Sequence, residues 1–502
     1  MPRRPEPTKH DIRGYLNDRG EWVVPRRRSI LFRALWTLFL LTFVFGLAAA
    51  AGLIWFLDRV DRAPREWAPY LERRATGHRS IIVETTALAT ELLVAEDRLD
   101  RAGALELPAN IGASASRSGA PPVGRLRLIA SQAALIDAVN TAVPGDVLQF
   151  VPGHYRFTGN QIGLGRPGAE NAPIIIRAAT LGDTVIEVDQ VVLFKVQAPY
   201  WRFENLTVRG VCSDATYCEH VFHVVGAARG VVIRNNRLED MNAQIKINGE
   251  EGQFPDGGSI EGNTIIDTKA RETDNPITPI DMVAASNWQI ANNFIADFAR
   301  SGDGAATYGA FVKGAGQNNV LKRNVVLCEW RLRGTRSPQV GLSLGGGGTG
   351  PMLTRTRDGS GLEQTGGVIR DNLIGFCNDD GVYVNKGNRS VIEHNTLIDT
   401  AGIDVRFALS SATVVANMVD GKIGSRDDAI LRQEQNEVGP LLGLFVGFHP
   451  VRSYFEDPAS LDLTWTTRPP ATDIGAGRAD LCGRKRPDHP MPGAFEDYAA
   501  CR

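Results

Sequence analysis

The sequence between about residues 205 and 417 is organised around an asparagine that recurs between short apolar runs. In the last seven of its eight copies, an apolar residue stands three positions before the asparagine and another stands two positions after it. The copies are Asn205, Asn236, Asn263, Asn293, Asn324, Asn372, Asn395 and Asn417. Most intervals are 22 to 31 residues, one is 48, and there is no helical periodicity. Short β-rich runs repeated at this length predict a solenoid of stacked coils.

Such a solenoid buries its apolar residues by stacking, because one coil cannot cover its own apolar face. An inward-facing asparagine can satisfy its amide through hydrogen bonds to the asparagines of adjacent coils. We therefore predict an all-β fold, a right-handed parallel β-helix, over residues 125–440. Ser131 is placed to cap a short helix that would cover the open N-terminal end of the stack. The apolar residues of that helix are Leu135, Ile136, Val139 and Val143.

The N-terminal region has the pattern of a membrane anchor. Residues 1–33 contain nine Lys or Arg and four acidic residues, and residues 34–57 carry no charge. An apolar helix of this length can cross a hydrocarbon core about 30 Å thick. The basic flank predicts a single-pass transmembrane helix with the N-terminus in the cytoplasm. A signal peptide cleaved near the alanine run 48–51 is the alternative.

Composition suggests the remaining boundaries. Residues 58–107 are helix-compatible and mixed in charge, which predicts a helical stem above the membrane. Residues 108–124 are rich in Ala, Ser, Gly and Pro, which predicts a flexible linker. The repeat fades after residue 440, and we expect residues 441–502 to form a C-terminal cap.

Charge and cysteine content bear on partners and location. The net charge is −2 with 22% charged residues, which gives no reason to expect nucleic acid as a partner. The cysteines fall into sequence pairs: Cys212 with Cys218, Cys328 with Cys377, and Cys482 with Cys501. Disulfides of this kind favour an oxidising compartment, although six unrelated buried thiols are the alternative. We expect a bacterial inner-membrane protein whose β-helix lies in the periplasm or at the cell exterior.

Aligning the coils by their asparagines predicts which strand residues face outward, because side chains alternate between the two faces of a strand. One outward column is His223, Lys246, Asp281, Phe311, Ser343, Tyr383 and Asp404. The next is Val225, Asn248, Val283, Lys313, Gly345, Asn385 and Arg406. From these we predict a substrate-binding set of His223, Lys246, Asp281, Lys313, Tyr383 and Asp404. An ordinary solvated polar face is the alternative.

The later coils carry a run of polar residues, Asn378-Asp379-Asp380-Gly-Val-Tyr-Val-Asn-Lys386. Lys386 lies nine residues before the ladder residue Asn395, and Arg406 follows 20 positions later, about one coil away. In these features the coils resemble polysaccharide lyases of the chondroitinase-B and alginate-lyase type, which are right-handed β-helices. That family has an Asn on one coil, Glu-x-Glu-x4-Lys on the next and Phe-Arg-His-Gly on the third.

The chain departs from the family pattern in two places. Gly381 stands at the second Glu, so that Asp380 would have to substitute for it, and Phe407 stands where the family has His. Gln339 or Ser337 falls near the family's Asn, and the resemblance implies a calcium site formed by Gln339, Asp379 and Asp380. It also implies Lys386 as the catalytic base and Arg406 as the assisting group.

These residue types suit elimination next to a sugar carboxylate. A divalent cation on that carboxylate stabilises the enolate-like intermediate, and calcium takes oxygen ligands. A lysine close to cations loses its proton more easily, and an arginine can bind a carboxylate through two hydrogen bonds. The resulting hypothesis is a lyase or epimerase acting on an acidic polysaccharide.

Two other functions are compatible with the sequence. A non-catalytic β-helix that binds glycan or scaffolds an envelope complex would carry the same repeat. Hydrolysis by Asp379 and Asp380 is a third hypothesis, although adjacent residues rarely flank one glycosidic bond suitably. His223, Lys246 and Asp281 fall on consecutive coils. Three interpretations of this set are open: a sugar subsite, a separate acid–base set, or ordinary surface polar groups.

Overall fold

The structure is a computed structural model that describes residues 15–23, 30–101, 103–119, 123–302, 305–350, 353–356 and 359–502. It divides the chain into two compact units, Met1–Val60 and Asp61–Arg502. In the first unit, the described residues form an antiparallel hairpin, Tyr15–Leu16 with Trp22–Val23, and helix α1, Ile30–Val60. Most of the predicted cytoplasmic tail, including the basic run 26–28, lies outside the described residues.

Helix α1 contains the one segment, among the described residues, that is long and apolar enough to cross a membrane. The segment is Phe32–Leu57, with a mean hydropathy of 2.3. It begins two residues before the predicted span and ends at the same residue. An N-terminal signal sequence has the same length and composition, so the structure leaves the two sequence hypotheses as they stand.

The second unit is a parallel β-helix whose described coils contribute short strands to three sheets. Sheet 1 contains Arg125–Ile129, Asp146–Phe150, Ile174–Arg177, Trp201–Glu204, Val232–Arg234, Ser259–Glu261, Gln289–Ala291, Val320–Lys322, Val368–Arg370, Ser390–Glu393, Ser411–Val415 and Ile430–Glu434. Sheet 2 contains Gly153–Thr158, Thr184–Asp189, Thr207–Gly210, Arg237–Glu239, Thr264–Ile266, Phe294–Ala296, Val325–Leu327, Leu373–Gly375, Thr396–Ile398, Met418–Val419 and Glu437–Val438. Sheet 3 contains Ile162–Leu164, Val192–Val196, His220–Val225, Ile245–Asn248, Ile280–Val283, Thr307–Lys313, Gln339–Gly345, Val382–Asn385, Gly402–Arg406 and Lys422–Arg426.

Two small sheets complete the strand inventory of the described residues. Gly316–Gln317, Gln364–Thr365 and Gly387–Asn388 pair in parallel at the turn that follows sheet 3. Phe455–Asp457 and Asp462–Trp465 form an antiparallel hairpin in the C-terminal tail. The stacked parallel sheets confirm the predicted β-helix.

The asparagine ladder is buried at the turn between sheets 1 and 2. Asn263 Oδ1 accepts hydrogen bonds from Asn236 N at 2.9 Å and from Asn236 Nδ2 at 3.0 Å. The same pair of bonds repeats along Asn293, Asn324, Asn372, Asn395 and Asn417. The ladder continues one coil beyond the prediction, to Asn436.

The predicted ladder is wrong at its first member, Asn205. Glu204 pairs with Arg234 in register, so Asn205 stands one residue ahead of the ladder position. Leu206 takes the inward position on that coil, and its main-chain N–H donates to Asn236 Oδ1 at 3.0 Å. An apolar side chain therefore ends the ladder, because the main-chain donor alone satisfies the last asparagine oxygen.

A helix covers the N-terminal end of the stack as predicted. Helix α4, Gln132–Asn140, is capped by Ser131, whose Oγ accepts from Ala134 N at 3.1 Å. Leu135 and Val139 are buried against the first coils, whereas the other two predicted apolar residues of this segment are exposed. The apolar core of the first coils is thereby closed to water.

The predicted stem consists of two packed helices, α2 (Pro64–Ala75) and α3 (Ser80–Asp97). The buried Arg65 fixes them to the β-helix. Its Nε donates to Asp97 Oδ2 at 2.7 Å, its Nη1 donates to the Cys377 carbonyl at 3.0 Å, and its Nη2 lies 3.0 Å from Asp399 Oδ1. Because this arginine is fully buried and its charge is paired, removing one partner would be costly.

The outer face of sheet 2 is apolar and is covered by two segments of the chain. It forms a second buried cluster with Leu105, Leu107, Ile111, Phe455, Phe495 and Tyr498. Residues 103–118, which include most of the predicted flexible linker, are docked here, with Gly112 N donating to the Asn292 carbonyl at 2.9 Å. The tail predicted as a C-terminal cap also packs along this side of the coils. Its 3₁₀ turns are Pro450–Tyr454 and Tyr498–Cys501, and α5 is Leu441–Leu444.

The predicted disulfides Cys212–Cys218, Cys328–Cys377 and Cys482–Cys501 are all present. Cys328 and Cys377 lie on adjacent coils, as their spacing from the ladder predicts, because their sheet 2 strands pair directly. The cross-link therefore ties neighbouring coils together within the core.

Candidate functional site

The outer face of sheet 3 presents two columns of side chains, in the register that the ladder predicts. Parallel pairing stacks His223, Lys246, Asp281, Phe311, Ser343, Tyr383 and Asp404 on successive coils. The second column includes Asn248, Val283, Lys313, Asn385 and Arg406. Neighbours within a column are about 4.8 Å apart, one strand spacing. The face can therefore bring side chains from several coils to one extended ligand.

The N-terminal part of this face is a hydrogen-bonded polar network. His223 Nε2 donates to Asn248 Oδ1 at 2.7 Å, and Lys246 Nζ contacts Asp281 Oδ2 at 2.6 Å. Burial lowers the pKa of His223 to about 4, so its ring is neutral near pH 7. The structure thus brings these three predicted substrate-binding residues together, with His223 and Lys246 partly exposed and Asp281 buried.

Aromatic rings form the base of the middle part of the face. Tyr308 and Phe311 meet edge to face with their centroids 5.5 Å apart, and Lys313 Nζ lies 4.4 Å from the Phe311 centroid. Burial raises the pKa of Tyr383 to about 12, so its hydroxyl stays protonated near neutral pH. Burial also lowers the pKa of Lys313 from its ordinary value. Aromatic rings next to cations suit a sugar ring that bears a carboxylate.

The C-terminal end of the face is basic. Arg406 and Lys386 flank the ring of Phe407, with Arg406 Cζ 4.5 Å and Lys386 Nζ 5.8 Å from its centroid. Arg406 Nε lies 2.5 Å from Asp427 Oδ2, and its side chain also hydrogen bonds to Tyr383. Both predicted catalytic residues are partly exposed here, close to one another.

The predicted metal-binding acids form a different group, before the strand Val382–Asn385. Glu66 at the start of α2 joins Asp379 and Asp380, and one carboxylate oxygen from each lies within 4.8 Å of the others. Burial raises the pKa of Asp379 above its ordinary value and that of Asp380 well above it. The three acids are therefore held close together at an electrostatic cost.

The third predicted metal ligand, Gln339, is engaged elsewhere. Its Nε2 donates to the Cys328 carbonyl at 3.1 Å and its Oε1 accepts from Thr335 Oγ1 at 2.9 Å. A fully buried amide with both ends bonded has no free side-chain oxygen to turn towards a cation. The structure supplies Glu66 as the neighbour of the two aspartates in place of Gln339.

Asp404 also differs from its predicted role in substrate binding. It is completely buried beneath Arg426, whose Nε donates to Asp404 Oδ1 at 3.1 Å, and Lys422 Nζ lies 3.6 Å away. Both oxygens are thus taken up by cations, which leaves no surface for a sugar. Its place in the outward column is correct, but the stem covers that end of the column.

The acidic group and Lys386 lie at opposite ends of one strand. At about 3.3 Å per residue, the Cα atoms of Asp380 and Lys386 are roughly 15 to 20 Å apart. The sequence predicts that Asp379, Lys386 and Arg406 share one trough. The structure groups Lys386 with Arg406 and separates them from the aspartates, because the four residues of Val382–Asn385 intervene.

Sequence reasoning misses Glu66 and Asp427. Glu66 is distant in sequence and belongs to a helix outside the repeat, so no spacing rule connects it to Asp379. Asp427 follows the last strand of sheet 3, one coil after Arg406. The coil register predicts its position, because Arg406 pairs with Arg426 in that strand.

Two buried acceptor oxygens on this face, and one in the acidic group before it, have no hydrogen-bond partner within the described residues. They are Asp281 Oδ1, Asp380 Oδ1 and Asn385 Oδ1. Because buried polar atoms are nearly always paired, such atoms mark places where a ligand group can donate a hydrogen bond. Two small cavities in the described part of the chain, of about 230 and 200 Å³, lie elsewhere, around Arg101 and around Lys269.

Residues 197–419 match the family model described as a right-handed beta helix region. The fold is therefore a right-handed parallel β-helix. No curated protein sequence matches the chain significantly.

Several solved structures share the architecture. Pectate lyase Pel9A is 13% identical with a TM-score of 0.47, over 72% of this chain and 90% of that one. An alginate lyase from Paenibacillus sp. str. FPU-7 is 15% identical with a TM-score of 0.34, over 62% and 95%. The PL6 family polysaccharide lyase Pedsa3628 from Pseudopedobacter saltans is 12% identical with a TM-score of 0.36, over 68% and 99%. At these identities the similarity concerns the fold alone.

Proposed function

We propose that this protein is a membrane-anchored β-helix protein that acts on an acidic polysaccharide outside the cytoplasm. The reaction is elimination or epimerisation, which both begin with removal of the proton next to the sugar carboxylate. The observation that best supports this proposal is that Lys386 and Arg406 both lie beside the ring of Phe407, and that Arg406 also hydrogen bonds to Tyr383. This set contains a base, a carboxylate binder and a proton donor.

Each group has a role that follows from its chemistry. Arg406 binds the sugar carboxylate, as it now binds the carboxylate of Asp427, which is 48% exposed and can give way. Lys386 removes the proton, and the positive charge of Arg406 stabilises the electron-rich intermediate. Tyr383 keeps its proton near neutral pH and can donate it to the leaving oxygen in an elimination.

The rest of the outer face binds the chain on either side of the reacting sugar. Sugar hydroxyls can donate to the unpaired oxygens of Asp281 and Asn385. Lys246 and Lys313 carry positive charge towards further carboxylates, and Phe311 provides an apolar ring beneath them. His223 holds Asn248 in place through its hydrogen bond.

The resemblance to calcium-dependent lyases implies a cation on the substrate carboxylate. In this chain, carboxylates of Glu66, Asp379 and Asp380 are the donor set that suits a hard divalent cation. They lie at the other end of the strand from Lys386, so we assign substrate carboxylate binding to Arg406.

The location proposal rests on the apolar segment of α1 and on the disulfides. A single span with the N-terminus in the cytoplasm of a bacterium would place the β-helix in the periplasm or at the cell exterior, where disulfides persist.

The proposed activity is tested with the full-length protein in detergent, incubated with alginate, pectate and glycosaminoglycans. Lyase action gives an unsaturated product that absorbs in the ultraviolet, and epimerase action changes the uronic acid composition. We expect Lys386→Ala and Arg406→Ala each to lower the rate at least about 100-fold, as is usual for a lost proton-transfer or charge-stabilising group.

Arg432→Ala is the matched control, because Arg432 is an exposed cation on sheet 1. It should leave the rate unchanged. Binding of these polymers without product formation, unaffected by Lys386→Ala, would replace the enzymatic proposal by the glycan-binding one.

A further inference from the structure

Glu66, Asp379 and Asp380 belong to a larger buried charge cluster beneath the start of helix α2. Lys422 Nζ lies 3.5 Å from Asp61 Oδ2 and 3.6 Å from Asp404 Oδ1. Arg62 Nη1 lies 3.6 Å from Glu66 Oε1. The acids of the cluster are Asp61, Glu66, Asp379, Asp380 and Asp404, and its cations are Arg62, Lys422 and Arg426.

The charges in this cluster do not balance within the described residues. Five carboxylates face three cations, which leaves two negative charges in excess. The neighbouring pair of Arg406 and Asp427 is neutral and does not change this balance. Excess charge of one sign is costly in a buried site, so either protons or a bound cation must offset it.

Asp380 shows most directly that the site lacks a partner. Its side chain is 5% exposed and its Oδ1 has no hydrogen-bond partner. Glu66 and Asp379 each bring a carboxylate oxygen within 4.8 Å of a carboxylate oxygen of Asp380, so the three acids lie close together where the site lacks a donor.

We propose that Glu66, Asp379 and Asp380 bind one hard divalent cation of the size of Ca²⁺, which fastens helix α2 to the β-helix. Two oxygens on opposite sides of a Ca²⁺ ion are about 4.8 Å apart, so one ion can touch an oxygen from each of the three acids. Carboxylates are hard ligands, and a charge of +2 offsets the excess of the cluster. Water can fill the remaining coordination positions.

This site has a different role from the calcium that the lyase resemblance implies. One of its ligands comes from the stem, and the strand Val382–Asn385 separates it from Lys386. The cation therefore stabilises the docking of residues 61–66 on the coils. The inference is independent of the proposed activity, and its test measures binding and stability only.

The test uses full-length protein in detergent at pH 7.5, first treated with EDTA. Ca²⁺, Mg²⁺ and Mn²⁺ are then titrated by calorimetry, and Tm is measured with and without each ion. Wild-type protein should bind Ca²⁺ at one site and show a higher Tm, because a ligand that binds only the folded state stabilises it. Glu66→Gln and Asp380→Asn should each weaken binding by about tenfold or more, since ligand charge sets affinity.

Glu84→Gln is the control, because Glu84 is exposed on the neighbouring helix α3. It should bind Ca²⁺ as wild type does. Asp380→Asn should have a Tm at or above that of wild type in EDTA and below it in Ca²⁺. This reversal distinguishes a lost cation ligand from a damaged fold.

Two results would overturn the inference. One is a wild-type Tm that is the same in EDTA and in each cation, which would assign the excess charge to protons. The other is unchanged Ca²⁺ affinity in Glu66→Gln and Asp380→Asn.

Discussion

The inside and the outside of this β-helix both carry polar side chains on successive coils, and the two sets differ in their hydrogen bonding. Along the inner ladder, an interior member such as Asn324 makes hydrogen bonds within the stack through both its side-chain oxygen and its side-chain nitrogen. Along the outer columns of sheet 3, Asp281 and Asn385 each leave a buried oxygen unpaired. The side chains of the two sets are similarly buried. Among the described residues of the two sets, only the ladder side chains have their hydrogen bonds satisfied without a ligand.

This contrast separates polar groups that stabilise the fold from polar groups that can bind a ligand. A buried polar group that is fully paired stabilises and specifies the fold, whereas an unpaired one has a cost that a ligand can remove. The ladder should therefore respond to mutation through stability, and the outer face through binding. The predictions below test this division, beginning with the largest effect.

Replacing Asn324 by Ala should give the largest loss of stability. Asn324 Nδ2 donates to the Ile290 carbonyl and to Asn372 Oδ1, and its Oδ1 accepts from Asn293 N and Nδ2. The substitution leaves several of these buried groups unpaired, each at about 1 to 3 kcal/mol. We expect a loss of about 4 kcal/mol in the free energy of unfolding, measured with urea.

Asn171→Ala is the control, because Asn171 is exposed in a surface turn. Its effect should stay within about 0.5 kcal/mol. A loss at Asn324 as small as that at Asn171 would show that the ladder is not what holds adjacent coils together.

The ladder, the sheet register and the Cys328–Cys377 disulfide could be predicted because they follow the repeat. Each coil imposes the same geometry, so the spacing of Asn263, Asn293 and Asn324 fixes the position of every strand between them. The error at Asn205 arose where the repeat begins, since Leu206 satisfies the same neighbour with its main chain alone.

The parts outside the repeat could not be predicted in this way. Nothing in the sequence connects Glu66 to Asp379, because their contact depends on how the stem packs on the coils. The docking of the tail on sheet 2 could not be predicted either, because the sequence of a short apolar segment such as that around Phe495 does not indicate which surface it covers. Lys386 and Arg406 were found together because they follow the coil register.

The acidic cluster predicts a pH dependence of intermediate size. The pKa of Glu66 is about 7 in the folded protein and 4.5 ordinarily, so the folded state holds a proton that the unfolded state has released. Stability should therefore fall as pH rises from 4.5 to 7 and stay level above that range. In EDTA, wild-type protein should lose about 2 kcal/mol more than Glu66→Gln between pH 5 and pH 8.

The comparison of the two proteins isolates this effect. Burial lowers the pKa of His223 and of His394 to about 4, which removes stability as pH falls below 6.5. These groups are present in both proteins and cancel in the difference. Saturating Ca²⁺ should abolish the difference in pH dependence, and an equal slope for both proteins in EDTA would contradict the role of Glu66.

The smallest expected change in stability comes from Asn385→Ala, and the matched substitution is Asn248→Ala in the same column. Asn248 is paired, with its Oδ1 accepting from His223 and its Nδ2 donating to the Gly249 carbonyl. Asn248→Ala should therefore cost about 1 to 2 kcal/mol, whereas Asn385→Ala, which removes an unpaired oxygen, should cost less than about 0.5 kcal/mol. Asn385→Ala should instead weaken the binding of alginate or pectate oligosaccharides about fivefold, measured by calorimetry, because a charge-free hydrogen bond to a ligand is worth about 1 kcal/mol. The opposite outcome, a stability loss at Asn385 with unchanged binding, would show that the outer face is structural in the same way as the ladder.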